Sequence, residues 1–209
     1  MTGAAWAFLV AAAVFALGNW VALARGSQAG IYICKPVTLV LLIGVAVTLD
    51  PVHTDVRAWF VVALVLSLAG DVFLMLPRDV FVAGLAAFLL AHVAYIVGLN
   101  LHTEGIWLLA IPVFVATAIV GRQLVDAIAR SGAPEMVGPV VAYVLVISIM
   151  GASALASGNW VAAVGALLFV TSDSLIGHNR FVAPQPWMPV TIMVTYHVGQ
   201  ALLVLSLLG

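Results

Sequence analysis

Two carboxylates stand where a hydrophobic chain should have none. Asp71 lies inside Leu66–Leu76, "LSLAGDVFLML", and Asp173 inside Leu167–Gly177, "LLFVTSDSLIG". An aspartate at the centre of a membrane helix costs about 2.5–3.5 kcal/mol on an insertion scale, and less near the ends, so each needs a partner or a use. Two such acids whose ionisation is pushed apart by burial and mutual repulsion are able to divide general-acid and general-base work between them. Other polar side chains recur in the same kind of surroundings: Lys35, His92, Tyr95, Tyr143, Ser172, Tyr196 and Gln200. His92 and Tyr95 share one helix face at i and i+3, and Tyr196 and Gln200 share another at i and i+4. Each also has a purely structural alternative. Asp71 and Lys35 would pair as a strut between helices, His92 would be a satisfied core histidine, and Tyr143 and Tyr196 would anchor interfaces. No metal or other cofactor is expected. His92, His178 and His197 are scattered, without an H-x-x-x-H or H-x-x-E-H spacing. Ser172 and Ser174 flank Asp173, but no G-x-S-x-G makes either a nucleophile. Cys34 is the single cysteine and cannot form an internal disulfide.

These residues must be positioned by membrane helices. Of the 209 residues 65% are hydrophobic and 7% charged, where a soluble domain carries about 25% charged residues. Mean hydropathy is +1.26. A net charge of −1 gives no reason to expect a nucleic-acid partner. Apolar runs of membrane-spanning length predict helices over 3–24, 31–49, 57–76, 79–100, 106–125, 138–156, 159–177 and 187–208, separated by breakers such as "DPVHTD", "PRD" and "HNRFVAPQP". The expected fold is therefore all-α, with eight transmembrane helices in a single integral membrane domain over 1–209. The first run lacks a preceding basic region and reads as a retained span. Helices 3 and 4, joined by almost nothing, should pair antiparallel. The end of the fifth, "RQLVDAIARSG", is amphipathic and runs toward the bilayer surface.

Arg25, Lys35, Arg78, Arg122, Arg130 and Arg180 fall at or beside connections that follow odd-numbered helices, and Arg57 alone lies on the other side. Positive charge marks the cytoplasmic side, which puts both termini outside. With about 1.5 Å of rise per residue, Asp71 and Asp173 then lie roughly 6–8 Å below the cytoplasmic face. The polar groups would line one cavity open to that leaflet. A faint duplication runs along the chain: Pro36 with Pro139, Asp71 with Asp173, and His92–Tyr95 with His197–Gln200. Four helices against four in parallel would set helices 3 and 7 across a pseudo-twofold axis.

In their order and spacing, "KP" at 35–36, "GDVFLM" at 70–75, F-x-x-x-H-x-x-Y from Phe88 to Tyr95, Tyr143, "GALLFVTSDSLIG" at 165–177 and "TYHVGQ" at 195–200 resemble the YhhN-type lysoplasmalogenases. The likeness covers about residues 30–205. His197 stands where that family often has a second aromatic. The resemblance implies an eight-helix hydrolase of the bacterial inner or plasma membrane whose substrates are lysophospholipids drawn from the bilayer. Such enzymes split the vinyl ether of lysoplasmalogens into a fatty aldehyde and a glycerophospho-alcohol, with choline or ethanolamine as the headgroup. Asp71 and Asp173 would be the acid/base pair. Lys35 would tune one of them or hold phosphate, and His92, Tyr95, Tyr143, Ser172, Tyr196 and Gln200 would support. A proton-coupled transporter would use the same aspartates, and a non-catalytic assembly protein would use them only as locks. The topology is open to a direct check: a reporter fused after Gly209 should be active outside the cytoplasm, and cytoplasmic activity would invert the orientation.

Overall fold

A computed structural model describes residues 1–209. It contains α1 (Gly3–Ala24), α2 (Gln28–Thr48), α3 (Thr54–Met75), α4 (Phe81–Asn100), α5 (Ile111–Ser131), α6 (Val137–Ala156), α7 (Trp160–Phe181) and α8 (Met188–Leu205), with short 3₁₀ turns leading into α5 and α6 and following α8. All eight are long and apolar enough to cross a bilayer. Their outward faces carry residues such as Val10, Val14 and Leu17 of α1 and Phe114, Val115 and Ile119 of α5. The chain is an all-α integral membrane protein.

Local chemistry sets several of the ends. Thr2, Ser27 and Asn159 cap α1, α2 and α7 by accepting hydrogen bonds from first-turn backbone N–H groups. Helix α5 runs to Ser131 and stops at Gly132, whose φ of 81° is the left-handed cap that glycine adopts freely. Two boundaries differ from expectation in ways that matter. Helix α2 starts at Gln28 rather than 31, which places Lys35 two turns inside it. Helix α7 continues to Phe181 rather than 177, through "HNRF". The added turn is held from outside the helix: Arg180 bonds Asp79 and the Phe181 ring packs edge-on against Phe81. Such tertiary contacts outweigh the modest helix preference of His and Asn.

Helices α3 and α4 pack as the expected antiparallel pair, with glycines on either helix receiving side chains from the other. A Cβ on Gly98 would lie 2.9 Å from the Phe60 ring, one on Gly70 2.6 Å from Phe88, and one on Gly84 2.5 Å from Leu74. Small residues that admit close approach are the usual means of helix association in lipid. The α7–α8 pair is tighter still, since a Cβ on Gly199 would sit 2.8 Å from the carbonyl oxygen of Gly165. This contact fixes the height of α8, and with it Tyr196 and Gln200. Gly199→Val should therefore destabilise the protein by about 1–3 kcal/mol through overpacking, read as a lower unfolding temperature in detergent. Gly3→Val, with nothing within 4 Å, should leave it unchanged.

Candidate active site

The polar residues gather in the bundle interior as two linked clusters. The first joins α2, α3 and α8. Lys35 Nζ lies 3.1 Å from Asp71 Oδ1, and the Tyr196 hydroxyl donates to Asp71 Oδ2 at 2.9 Å. Asp71 is 1% exposed, so an ion pair with a further hydrogen bond is what makes its charge tolerable. Lys35 is buried with it rather than resting near the surface, because α2 begins early enough to carry its base to the depth of Asp71.

The second cluster joins α4, α6 and α7. The Tyr143 hydroxyl donates to Asp173 Oδ2. His92 Nε2 lies 3.1 Å from the same oxygen and 3.0 Å from the Tyr143 hydroxyl, so the three groups close a triangle. Deeper in the bundle the Tyr95 hydroxyl donates to Gln200 Oε1 at 2.5 Å, tying α4 to α8. Ser172 does not face this cluster; its hydroxyl donates to the Ile192 carbonyl of α8 at 3.1 Å. His197, its ring centroid 5.5 Å from that of Tyr196, accepts from Trp20 Nε1 of α1 at 3.1 Å.

Phe169 sits between the clusters. Its ring centroid lies 4.8 Å from that of His92, 5.3 Å from Tyr196, 6.2 Å from Phe88 and 6.4 Å from Tyr95. Phe88 and Phe169 stand in the motifs quoted above, but neither was among the expected site residues. The available signal was their spacing, since each precedes a site residue by four (Asp173 and His92) and so shares its helix face.

A narrow cavity of about 50 Å³ opens onto the second cluster. Asp173, Tyr143 and Ser174 give it a polar end, and residues such as Leu85, Val120, Leu124 and Val144 give it apolar walls. Its outer end is framed by Phe81 and Phe181, at the face where α3, α5 and α7 finish. Asp71 does not line this cavity, which corrects the expectation of two carboxylates on one pocket. Phe88 is the physical reason. Its ring lines the cavity while packing on Gly70 and, edge-on, on Tyr196, so it walls off the Asp71 cluster. Asp173 lies eight residues, or about 12 Å, from the end of α7.

Beside the cavity's mouth, Arg180 holds the Asp79 carboxyl below its usual range by hydrogen bonding. That pair therefore persists at neutral pH and weakens in acid, as Asp79 protonates. On the opposite face His53, Asp55 and His102 come together, with ligand atoms within 4.8 Å of one another, beside a separate polar vestibule. Their separation in sequence hid that grouping.

Fold and site together describe a polytopic membrane protein with an acid-lined apolar cavity. The comparisons give that class a family. Residues 30–207 match the YhhN family, and the chain belongs to it. It is 36% identical over 148 residues to human "Lysoplasmalogenase TMEM86B", covering 70% of this chain and 62% of that protein. Against the "Lysoplasmalogenase" of Mycobacterium bovis it is 32% identical over 177 residues, covering 79% of this chain and 66% of the relative. The rat "Lysoplasmalogenase TMEM86B" is 31% identical over 181 residues, 84% and 71% of the two chains. The chain thus spans a little under two thirds of the human and mycobacterial relatives. No solved structure matches it.

The two clusters should respond differently to mutation. Asp71→Asn strands the Lys35 charge and should cost about 3–5 kcal/mol, whereas an apolar Lys35→Met/Asp71→Leu pair should recover most of that stability. Thermal unfolding of the detergent-solubilised variants measures both.

Proposed function

We propose that this protein is a membrane hydrolase that cleaves the vinyl ether bond of lysoplasmalogens to a fatty aldehyde and a glycerophospho-alcohol. The observation that carries the reading is the position of Asp173, with Tyr143 and His92 around it, at the polar end of an otherwise apolar cavity. The names of the relatives supply the substrate class.

The chemistry follows from the bond. A vinyl ether is cleaved by placing a proton on its β-carbon, which leaves an oxocarbenium ion across the α-carbon and the oxygen. Asp173 is the carboxyl group that faces the cavity, so it delivers this proton, with His92 hydrogen-bonded to it as the group that restores it. The resulting carboxylate then lies beside the oxocarbenium and stabilises it electrostatically, as carboxylates do in glycoside hydrolysis. Water adds to the α-carbon and gives up a proton to the same cluster. The hemiacetal that forms returns a proton to the ether oxygen and splits into aldehyde and alcohol. Overall one water is consumed and no electrons are transferred.

Asp71 is assigned a positioning role. Its salt bridge to Lys35 and its bond to Tyr196 fix α8 against α3, and the Tyr196 ring packs on Phe169 beside His92. Tyr95 and Gln200 brace the same wall. The alkenyl chain is taken between α5 and α6. A groove on their outer side shares Thr117, Val140 and Val144 with the inner cavity, so a lipid reaches Asp173 sideways from the leaflet. The arginine distribution supports placing this end at the cytoplasmic leaflet, with both termini outside. The element pattern also favours the 4+4 duplication. Asp71 is met from α2 and α8, and Asp173 from α6 and α4.

Asp173→Asn, which keeps the shape and removes the transferable proton, should insert normally and release aldehyde from lysoplasmalogen at least about 10³-fold more slowly. Wild-type turnover in this variant would remove Asp173 from the mechanism. Uptake of solute by proteoliposomes without aldehyde formation by the wild-type protein would instead favour a proton-coupled transporter.

A further inference from the structure

Beside the mouth of the Asp173 cavity, in a separate depression that shares Leu74 and Phe81 with it, lies a guanidinium that the mechanism above does not use. Arg180 Nη2 donates to Asp79 Oδ2 at 2.6 Å, and its guanidinium carbon lies 4.7 Å from the centroid of the Phe81 ring. Phe81 in turn meets Phe181 edge-on, with centroids 5.7 Å apart, and both rings line the cavity. Arg78 shares the shallow depression formed by Asp79, Phe81 and Arg180. An aromatic pair thus stands at the mouth of the cavity with an ion pair fastened across it. The Arg180 and Asp79 side chains are 44% and 66% exposed. An ion pair that open to water contributes little to stability, and a competing anion displaces it readily.

Register and distance fit a lysolipid. Arg180 follows Asp173 by seven residues, which returns it to the same face of α7 about 10 Å further along. In a 1-alkenyl glycerophospholipid, seven bonds separate the phosphorus from the carbon that must be protonated. An extended chain advances about 3.5 Å per three bonds, so that separation is roughly 8 Å. A phosphodiester on Arg180 therefore sets the vinyl ether beside Asp173, with the hydrocarbon turned out between α5 and α6. Arginine's planar fork suits phosphate oxygens, and stacking on Phe81 keeps it at the mouth.

We propose that Arg180 is the phosphate subsite of this cavity, and that Asp79 occupies it as a latch until the phosphodiester of a lysolipid takes the carboxylate's place. This rests on the function proposed above and adds the determinant that selects phosphate-bearing ether lipids over neutral ones. Asp79 keeps the aromatic pair closed when no lipid is bound. Arg180 is a binding group and takes no part in proton transfer.

Binding to the full-length protein in detergent tests this without turnover. The ligands are a saturated 1-O-alkyl lysophosphoethanolamine, the matching 1-O-alkylglycerol, and inorganic phosphate, followed by titration calorimetry. Arg180→Gln should weaken the phospholipid about tenfold and leave the alkylglycerol unmoved. Asp79→Asn should strengthen the phospholipid about threefold. Arg25→Gln, exposed at the end of α1, should change neither. If Arg180 and Asp79 merely strap the α3–α4 turn to α7, both variants weaken both ligands in parallel, and the proposal fails. It fails equally if inorganic phosphate binds as tightly as the lysolipid, which would mark a free-anion site. Loss of phosphate discrimination in Arg180→Gln, together with no vinyl ether cleavage by the wild type, would uphold the subsite and overturn the proposed function. Cleavage by the wild type with unchanged binding in Arg180→Gln would do the reverse.

Discussion

A carboxylate cannot stand alone in hydrocarbon, and the interior of this protein is arranged around that constraint. Two acids lie within the membrane span, and helices from distant parts of the chain converge to partner them. Asp71 takes Lys35 from α2 and Tyr196 from α8. Asp173 takes Tyr143 from α6 and His92 from α4. Each set of contacts fixes the rotation and height of three helices, which apolar packing alone would leave loosely specified in lipid.

The two solutions are chemically unequal, and the proposed function rests on that inequality. Asp71 is matched by a full cation and covered by Phe88 and Tyr196, and the proposal gives it a positioning role. Asp173 has neither lysine nor arginine beside it, only a phenol and an imidazole, and it faces open volume. A group held in that way is able to exchange a proton with something that enters the cavity. Membership of the YhhN family, and relatives named as lysoplasmalogenases, agree with a lipid as what enters.

Much of this was legible in the sequence, because polar side chains inside apolar runs announce themselves. Asp71, Asp173, Lys35, His92, Tyr95, Tyr143, Tyr196 and Gln200 all reach the two clusters or the tyrosine–glutamine tie beneath them, while Ser172 turned to the α8 backbone. Helix number and the α3–α4 pairing followed from run length and breaker position. What the sequence hid was long-range and apolar. Asp71 and Tyr196 are 125 positions apart, and nothing in the sequence marks their contact. Phe88 and Phe169 look like any other core residue, yet they decide that the acids face different spaces. The added turn of α7 was read as a loop because His178 and Asn179 argue locally for one. Tertiary contacts of Arg180 and Phe181 decide otherwise.

The most direct measurement is the position of a bound lipid, obtained by cryo-electron microscopy of a catalytically silent protein soaked with lysoplasmalogen. The account places the β-carbon of the vinyl ether about 3.5 Å from the side chain at position 173, with the alkenyl chain among Val120, Leu124 and Val144. Density for the lipid in the opposite vestibule beside His53 and His102, or a vinyl ether lodged against Asp71 instead, would contradict it.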